Sequence, residues 1–229
     1  MGNVKIVLLF ALCSASINAC AKSTVQSRGV EAGVTAIEAG RESGIVLYFH
    51  GRGGSSRGWE RKIGKSAFYK YFQENGFLNL APSSNSPGDW DTDFSLRNVD
   101  VARVDSLLDS LDSKMPIFVV GHSAGVGFLL RFVILSKHAS RIKGVLAANA
   151  GGPLEVYTSK VYMLPTFFVY RECDQVTSSS KIKNAHKALS SNGVVSVLLE
   201  GASLASADEG CHAFVDSSAL VHSFWKGLE

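Results

Sequence analysis

The chain has 229 residues, of which 46% are hydrophobic and 19% are charged, and its formal net charge is +3. This length and apolar content fit one domain with a sizeable core and argue against a disordered chain. The weak positive excess gives no reason to propose nucleic acid as a partner.

Residues 1–20, MGNVKIVLLFALCSASINAC, contain an early lysine, an apolar run and small residues that end at Cys20. This pattern predicts an export signal, whose apolar run is too short for a membrane-spanning helix. Residues 17–20 resemble a bacterial lipoprotein box, so we expect lipid on Cys20. Cleavage nearby without lipid is the alternative, and the large side chain of Ile17 disfavours it. We therefore predict a bacterial protein that is periplasmic, anchored by lipid to an envelope membrane, or secreted, in an oxidising compartment.

Residues 21–40 are small and polar, which predicts a tether or an N-terminal edge segment before one domain at 41–229. Within that domain, apolar runs typical of strands alternate with segments of helical periodicity. In chain order these are strand 45–49, helix 59–74, strand 76–82, helix 97–112, strand 116–121, helix 124–138, strand 144–152, strand 165–171, helix 178–191, strand 194–201 and a helix at about 213–227. Continuous apolar strands are buried on both faces, so we predict an α/β fold with a mostly parallel sheet flanked by helices.

The strongest chemical signal is Gly121-His122-Ser123-Ala124-Gly125, a G-x-S-x-G pattern between a predicted strand and a predicted helix. In this context the chain reverses sharply, Ser123 adopts a strained backbone, and side chains at the two glycine positions would collide with neighbouring backbone. The turn presents the Ser123 hydroxyl at the carboxyl end of the sheet, above a helix N-terminus that favours a developing oxyanion. The alternative is a serine that only caps the helix.

The sequence His50-Gly51-Arg52-Gly53-Gly54 follows strand 45–49. Its glycines allow the loop to approach a substrate carbonyl closely. An oxyanion hole takes one backbone N–H from such a loop and one from the residue after the nucleophile. We therefore predict the amides of Arg52 and Ala124 as oxyanion donors, and the alternative is a glycine-rich turn without a ligand. We expect His50 to organise the loop rather than to act as a base.

With HGRGG, GHSAG, and an acid and a histidine after the last two strands, the chain resembles the α/β-hydrolase superfamily over residues 44–229. Within it, the chain is similar to small exported serine esterases of the feruloyl esterase, polyester depolymerase and dienelactone hydrolase-like kind. The resemblance implies the α/β-hydrolase fold without a large lid domain. It also implies a carboxylic ester hydrolase that acts through an acyl-enzyme on short-chain, aromatic or polymer-borne esters.

The superfamily places a serine, an acid and a histidine in this order along the chain. Ser123, Asp174 and His212 match that order, and the acid and the histidine each follow a late predicted strand. His212 would take the proton of Ser123. Asp174 would orient the imidazole and stabilise its charged form.

Other acids and histidines lie near these positions. Glu172 is the alternative acid because it lies nearer the strand, whereas Asp208 and Glu209 share the loop of His212 and are disfavoured. His122 flanks the nucleophile, and we predict a packing or substrate-pocket role for it. The histidines at positions 138, 186 and 222 fall in predicted helices, where we expect surface or packing roles.

The cysteines predict a disulfide. One cysteine leaves with the signal and Cys20 is the predicted lipid site, which leaves Cys173 and Cys211 as an even pair in an exported protein. Because Cys173 precedes Asp174 and Cys211 precedes His212, contact between the acid and the base would bring the two thiols within bonding reach. No metal-ligand spacing accompanies the pair, so we predict no metal and no other cofactor.

Residues 151–165 are too few for the large helical lid of many lipases, so we predict an open cleft, and we expect a monomer. The loop 83–94 should border the cleft, where Trp90 and Phe94 are candidate substrate contacts. Packing beneath the loop is the alternative for both. An open cleft with aromatic borders fits a small-molecule or polymeric ester substrate.

Two other classes of function compete with an esterase. A thioesterase or a peptidase would use the same triad, and the fold and the triad cannot separate these activities. A non-catalytic envelope protein that binds ligands is the other possibility. The complete set of triad and oxyanion residues disfavours it.

Overall fold

The computed structural model describes residues 34–37, 43–63, 66–111, 114–159, 162–201 and 210–214, together with Leu220 and Phe224. The predicted signal at 1–20, with its lipid site, lies outside these described residues. Most of the predicted helix 213–227 and the acids at positions 208 and 209 also lie outside them.

A seven-stranded sheet runs through the described chain in the order β1-β3-β2-β4-β5-β6-β7. The strands are β1 (Val34–Ile37), β2 (Gly44–Phe49), β3 (Phe77–Pro82), β4 (Ile117–His122), β5 (Ile142–Ala148), β6 (Thr166–Tyr170) and β7 (Ser196–Glu200). Strands β2 to β7 are parallel, and β1 pairs antiparallel with β3 at one edge. The predicted mostly parallel sheet is confirmed.

Helices cover both faces of this sheet, as predicted. They are α1 (Ser56–Ile63), α2 (Ala67–Glu74), α3 (Val99–Ser110), α4 (Ala124–Leu135), α5 (Leu154–Thr158) and α6 (Ser179–Ser191). Apolar residues of α3, α4, α5 and α6 join one core cluster, and those of α1 and α2 join a second cluster with Leu220 and Phe224. In the link between β5 and β6, the described residues 149–159 and 162–165 hold one helix, the short α5, and the link is too short for a large lid.

The strand sequences explain this layering. Every residue of β2, β3 and β6 is buried, so these strands must be covered on both faces. In β2, alternate residues enter different clusters: Ile45 and Leu47 pack on one face, and Val46 and Tyr48 pack on the other. The two-residue period of a strand thus distributes one apolar run between two cores.

The prediction of one helix over 59–74 was wrong. Ser66 begins a new helix, because its Oγ accepts a hydrogen bond from the amide of Tyr69 at 2.9 Å. Trp59 of α1 and Phe68 of α2 nevertheless pack in the same cluster. The apolar periodicity therefore continues across the break between the two helices.

The carboxyl ends of the parallel strands meet at one edge of the sheet. Strands β2, β4, β5 and β6 lead there into the loop 50–54, Ser123, Asn149 and the segment 171–174, respectively. This is the edge at which α/β sheets place their sites. Among the described residues, no helix has the length and apolar character needed to cross a membrane.

Candidate active site

Ser123 occupies the sharp turn between β4 and α4. Its backbone has φ 53° and ψ −120°, a positive φ that is strained for a residue with a side chain. The amide of Ser123 donates to the carbonyl of Ala148 at 2.9 Å, which ties the turn to the end of β5. The Ser123 side chain makes no capping hydrogen bond to α4. The structure therefore does not support the alternative role as a helix cap.

Close backbone contacts require the two glycines of the turn. A Cβ added to Gly125 would lie 2.2 Å from the carbonyl oxygen of Phe49, and one added to Gly121 would lie 2.8 Å from the carbonyl oxygen of Gly125. Both distances are far below van der Waals contact, and the atoms in the way belong to the backbone. The predicted collision at these two positions is confirmed.

We expect Gly125→Ala to destabilise the protein by about 3 kcal/mol, because β2 and α4 must separate to admit the methyl group. Gly127→Ala on the same helix is the matched control, since its added Cβ would meet Arg131 Nη1 at an ordinary 3.6 Å. That alanine should stabilise the helix by up to about 1 kcal/mol. Urea unfolding measures both changes, and equal stabilities would contradict the close approach of the two elements.

Ser123, His212 and Asp174 form a continuous hydrogen-bonded chain. His212 Nε2 lies 2.8 Å from Ser123 Oγ, and His212 Nδ1 lies 2.7 Å from Asp174 Oδ2. With Nδ1 donating to the carboxylate, Nε2 is left to accept the serine proton, which is the tautomer that a general base requires. The structure thus brings together the three side chains that the sequence places after different strands.

The surroundings of Asp174 suit a carboxylate that holds an imidazole. The Asp174 side chain is 1% exposed, compared with 25% for that of His212. Its Oδ1 accepts hydrogen bonds from the amides of Val176 at 2.8 Å and Thr177 at 3.2 Å. Both carboxylate oxygens are therefore engaged, one by its own loop and one by the histidine.

Glu172, the alternative acid, faces α6 instead. Its carboxylate binds Lys183 Nζ and, at 2.9 Å, Ser179 Oγ. The hydrogen bond from Lys183, followed by that from Ser179, lowers the pKa of the Glu172 carboxyl below its ordinary value. Asp174 is therefore the acid that the structure places at His212.

A disulfide joins Cys173 to Cys211, whose Cα atoms are 5.5 Å apart, and confirms the predicted pairing. It links the residue before Asp174 to the residue before His212. The segments that carry Asp174 and His212 are thus joined covalently, close to the hydrogen bond between these two side chains. Such support keeps a catalytic constellation in its productive geometry.

The backbone around His212 is also held by hydrogen bonds from strand ends. His122 Nε2 donates to the carbonyl of His212 at 2.8 Å, and Arg171 Nη1 donates to the carbonyl of Gly210 at a longer 3.4 Å. His122 also lines the cleft above Ser123. His122 therefore combines the two predicted positions: it supports the backbone of His212 and it lines the pocket.

Asn149 is a supporting residue that the sequence analysis missed. It is fully buried, has a positive φ of 53°, and donates from Nδ2 to the carbonyl of Ala213 at 2.9 Å. Asparagine tolerates this left-handed region better than most residues do. The signal that points to it is an asparagine directly after an apolar run, but the predicted strand 144–152 continued through it. The strand ends at Ala148.

We expect Asn149→Ala to lower kcat about tenfold with little change in KM, because the residue positions the base and does not contact substrate. Asn192→Ala is the matched control, since Asn192 Nδ2 holds the carbonyl of Tyr157 at 2.9 Å. That variant should lose comparable stability and keep kcat. Steady-state kinetics alongside thermal unfolding separate the two effects. An unchanged kcat in Asn149→Ala would show that this anchor is only structural.

The loop 50–54 packs directly against the serine turn. A Cβ added to Gly51 would lie 3.2 Å from the Cβ of Ser123. The amides of Gly53 and Gly54 are engaged within the loop region, where they donate to the carbonyls of Gly88 at 2.7 Å and Gly51 at 3.0 Å. The loop is therefore held in a fixed conformation beside Ser123.

Two nearby amides lack an acceptor within the described part of the chain. The amide of Arg52 has no hydrogen-bond partner there. Ala124 is the first residue of α4, so its N–H has no intrahelical acceptor. These are the two predicted oxyanion donors, and both are available to a substrate oxygen.

His50 and Trp90 support this loop from beneath. His50 Nδ1 donates to the carbonyl of Gly51 at 2.9 Å, and its Nε2 accepts the amide of Ser84 at 3.4 Å. Trp90 Nε1 donates to the carbonyl of His50 at 2.7 Å, and its ring stacks on Phe128 with centroids 4.3 Å apart. Trp90 is only 4% exposed. The structure therefore supports packing beneath the loop, not substrate contact, for Trp90.

Burial lowers the pKa of His50 below 6.5, against smaller opposing effects of its bond to Gly51 and of the charge on Asp100. The unfolded state then binds a proton more readily than the folded state, so stability is complete above about pH 6.5 and falls as the pH drops towards the folded pKa. We expect urea unfolding between pH 7.5 and 5 to show this loss. His50→Gln should flatten the pH dependence, and parallel curves for the two proteins would contradict the assignment.

An open cleft of about 540 Å³ lies over the serine and histidine, a volume ordinary for a small-molecule site. Its lining comprises residues 50–55, Gly58, Trp59, Arg61, His122, Ser123, Val176 and His212. Phe94 lies outside this lining, with its ring 4.2 Å from the Arg131 guanidinium. The structure therefore does not bring Phe94 to the cleft.

In the part of the chain that the structure describes, no three histidine, cysteine, aspartate or glutamate side chains are grouped to hold a metal ion.

Solved structures of lipases, esterases and thioesterases share this fold. A soluble variant of monoglyceride lipase from Saccharomyces cerevisiae, in complex with a substrate analogue, is 13% identical with a TM-score of 0.59 over 93% of this chain and 94% of that chain. A carboxyl esterase from Bacillus coagulans, in complex with glycerol, is 12% identical with a TM-score of 0.59, and the match covers 79% of this chain and 89% of the esterase chain. The thioesterase domain from the curacin biosynthetic pathway is 13% identical with a TM-score of 0.61, and the match covers 93% of this chain and 100% of the thioesterase chain.

No protein-family profile matches the chain, and no curated protein matches it in sequence. The likenesses to solved structures establish that the chain has the α/β-hydrolase fold. At 12–13% identity they say nothing about its activity.

Proposed function

We propose that the protein is a serine carboxylic ester hydrolase that acts through an acyl-enzyme. The observation that carries this proposal is the unbroken chain of contacts from Ser123 Oγ through the His212 ring to Asp174, at 2.8 and 2.7 Å. A protein that only binds ligands has no use for this chain or for the strained backbone of Ser123. Both features serve a nucleophile that must be exposed and deprotonated.

The proposed reaction follows from these contacts. Ser123 Oγ attacks the ester carbonyl carbon while His212 Nε2 takes its proton, and Asp174 stabilises the resulting imidazolium. The amides of Arg52 and Ala124 bind the oxyanion. His212 then protonates the departing alcohol. Water, deprotonated by His212, attacks the acyl carbonyl carbon, and His212 returns that proton to Ser123 Oγ as the carboxylic acid leaves. Every proton is returned, so the cycle needs no cofactor.

The proposed substrates are small-molecule or polymer-borne esters with short or aromatic acyl groups. The cleft is open, and in the described part of the short link between β5 and β6 the five-residue α5 is too short to enclose a long chain. A thioester is the second candidate, since the same nucleophile and oxyanion donors act on it and a thioesterase domain shares the fold at a TM-score of 0.61.

The proposed setting is the bacterial envelope or the extracellular medium. The signal pattern at 1–20 and the disulfide between Cys173 and Cys211 both fit export to an oxidising compartment. Lipid on Cys20 is the proposed anchor, and the mature protein is proposed to be a monomer. Fractionation of cells that express wild type and Cys20→Ser tests the anchor. The wild type should partition with membranes and the variant should not.

The test of the reaction class is a series of aryl esters from acetyl to octanoyl, with an aryl thioester and an anilide of matched acyl group. The proposal expects ester turnover that is greatest for the short acyl groups and is lost in Ser123→Ala. Faster thioester turnover would favour a thioesterase, and anilide turnover would favour a peptidase. No turnover of any of the three would favour a ligand-binding protein.

A further inference from the structure

The charged side chains that line the cleft are positive. Arg52 approaches from the oxyanion loop and Arg61 from α1, and both lie in the lining of the same cavity as Ser123. Among the described residues of that lining there is no aspartate or glutamate. A concave surface lined by one sign of charge concentrates its potential and attracts ligands of the opposite sign.

Neither guanidinium is held by a buried protein partner. Arg61 is exposed and, within the described residues, makes no ion pair or hydrogen bond. Arg52 Nε lies 3.6 Å from Asp89 Oδ1, but the two side chains are 81% and 57% exposed. An ion pair this exposed is screened by water and contributes little. Arg61 is therefore free to bind a ligand, and Arg52 can exchange its weak ion pair with Asp89 for one.

The shape of the cleft indicates how a ligand reaches these cations. Trp59 contributes an aromatic wall, and Gly53, Gly54 and Gly58 contribute no side chain, so the space between the serine and the arginines stays open. A cavity of about 540 Å³ accommodates a substituted aromatic ring. A planar guanidinium matches a carboxylate with two parallel hydrogen bonds.

From these charges and this shape we infer that the preferred substrate is an ester that also carries an ionised carboxylate. Arg61, assisted by Arg52, binds the carboxylate while Ser123 attacks the ester carbonyl. This inference rests on the proposed function and specifies its substrate class. It assigns to Arg61 a role in specificity that neither the fold nor the triad requires.

The test compares two probes that differ in one charge, 4-acetoxybenzoate and 4-acetoxybenzamide. Both present the same acetyl ester on the same ring, and only the first carries a carboxylate. We expect kcat/KM to be about tenfold higher for the benzoate at low salt, as is ordinary for a charge-assisted contact. The preference should shrink in 1 M NaCl, because salt screens exposed charges. Equal kcat/KM values at low salt would overturn the inference.

Arg61→Gln should bring the ratio of the two kcat/KM values to about one. Lys187→Gln is the matched control, because it removes one exposed positive charge from α6, outside the cleft lining. This variant should keep the wild-type ratio. A ratio unchanged in Arg61→Gln, or lowered equally in Lys187→Gln, would overturn the role of Arg61. Arg61 is exposed, and thermal unfolding checks that each variant is folded.

Calorimetry on Ser123→Ala separates this inference from the proposed function. That variant cannot turn over the probes by the proposed route, so the dissociation constants are measured directly. The inference expects tighter binding of the benzoate, by about tenfold, and loss of the difference in Ser123→Ala/Arg61→Gln. Equal binding of both probes would overturn the inference. If the wild type bound the benzoate more tightly than the benzamide but hydrolysed neither, the proposed hydrolysis would be overturned and the inferred preference for a carboxylate would stand.

Discussion

Ser123→Ala should lower kcat for an aryl acetate by about 10⁶-fold, because no other group can take its place in the acyl-enzyme. The remaining rate should come from the oxyanion donors and substrate binding alone. The fold should survive, since the Ser123 side chain makes no capping bond to α4 and alanine preserves the backbone. Stopped assays with purified variant, at enzyme concentrations high enough to detect the residual rate, measure the loss.

Ser86→Ala is the control for this substitution. Ser86 is an exposed serine in the loop after β3, outside the lining of the cleft. Its replacement should leave kcat and stability unchanged. If Ser123→Ala kept more than about a tenth of the wild-type kcat, the assignment of the nucleophile would be wrong.

Removal of the disulfide by Cys173→Ser/Cys211→Ser should lower the free energy of unfolding by about 3–4 kcal/mol in the loop-entropy model, given a sequence separation of 38. It should also lower kcat, because the segments that carry Asp174 and His212 lose their covalent link. Urea unfolding and aryl acetate kinetics measure the two effects. They should appear together, since one bond supports both the fold and the site.

Dithiothreitol provides the control for the cysteine variant. The reductant should lower the melting temperature of the wild type and leave that of Cys173→Ser/Cys211→Ser unchanged. A wild-type melting temperature that does not respond to the reductant, under conditions where thiol titration shows both cysteines reduced, would contradict a stabilising bond.

Much of the fold was predictable because the strands are continuous apolar runs and the sheet is parallel. The predicted runs 45–49, 76–82 and 165–171 differ from β2, β3 and β6 by one residue at one or both ends. The predicted strand 144–152 began two residues late and ran four residues too far, because β5 is Ile142–Ala148. Asn149, the first residue after β5, takes a left-handed conformation that ends the strand. Hydrophobicity cannot report that conformation.

The helix predictions rest on apolar periodicity, which reports the buried face of a segment but not the breaks within it. In the segment 59–74 the apolar positions continue across Ser66, because α1 and α2 cover the same face of the sheet. The cap at Ser66 is a local hydrogen bond, and a serine in an amphipathic segment is an equally good surface residue. The pattern therefore identified the buried face and missed the break.

The meeting of Ser123, Asp174 and His212 was predictable because each residue follows a strand, and strand ends converge in a parallel sheet. The supporting residues were not predictable in the same way. Asn149 contacts Ala213, which is 64 positions away, and Trp90 reaches the carbonyl of His50 across 40 positions. An aromatic residue in a loop beside a cleft is compatible with burial or with substrate contact, and only the packing around Trp90 distinguishes the two.

The most direct test of Ser123 as a nucleophile activated by His212 is the site of labelling by a fluorophosphonate, mapped by mass spectrometry of the digested protein. The reagent phosphonylates a serine whose hydroxyl is activated by a neighbouring base. We expect a single adduct on Ser123, with labelling much slower in His212→Ala and in Asp174→Asn. Labelling of another residue, or equal labelling rates in wild type and His212→Ala, would contradict it.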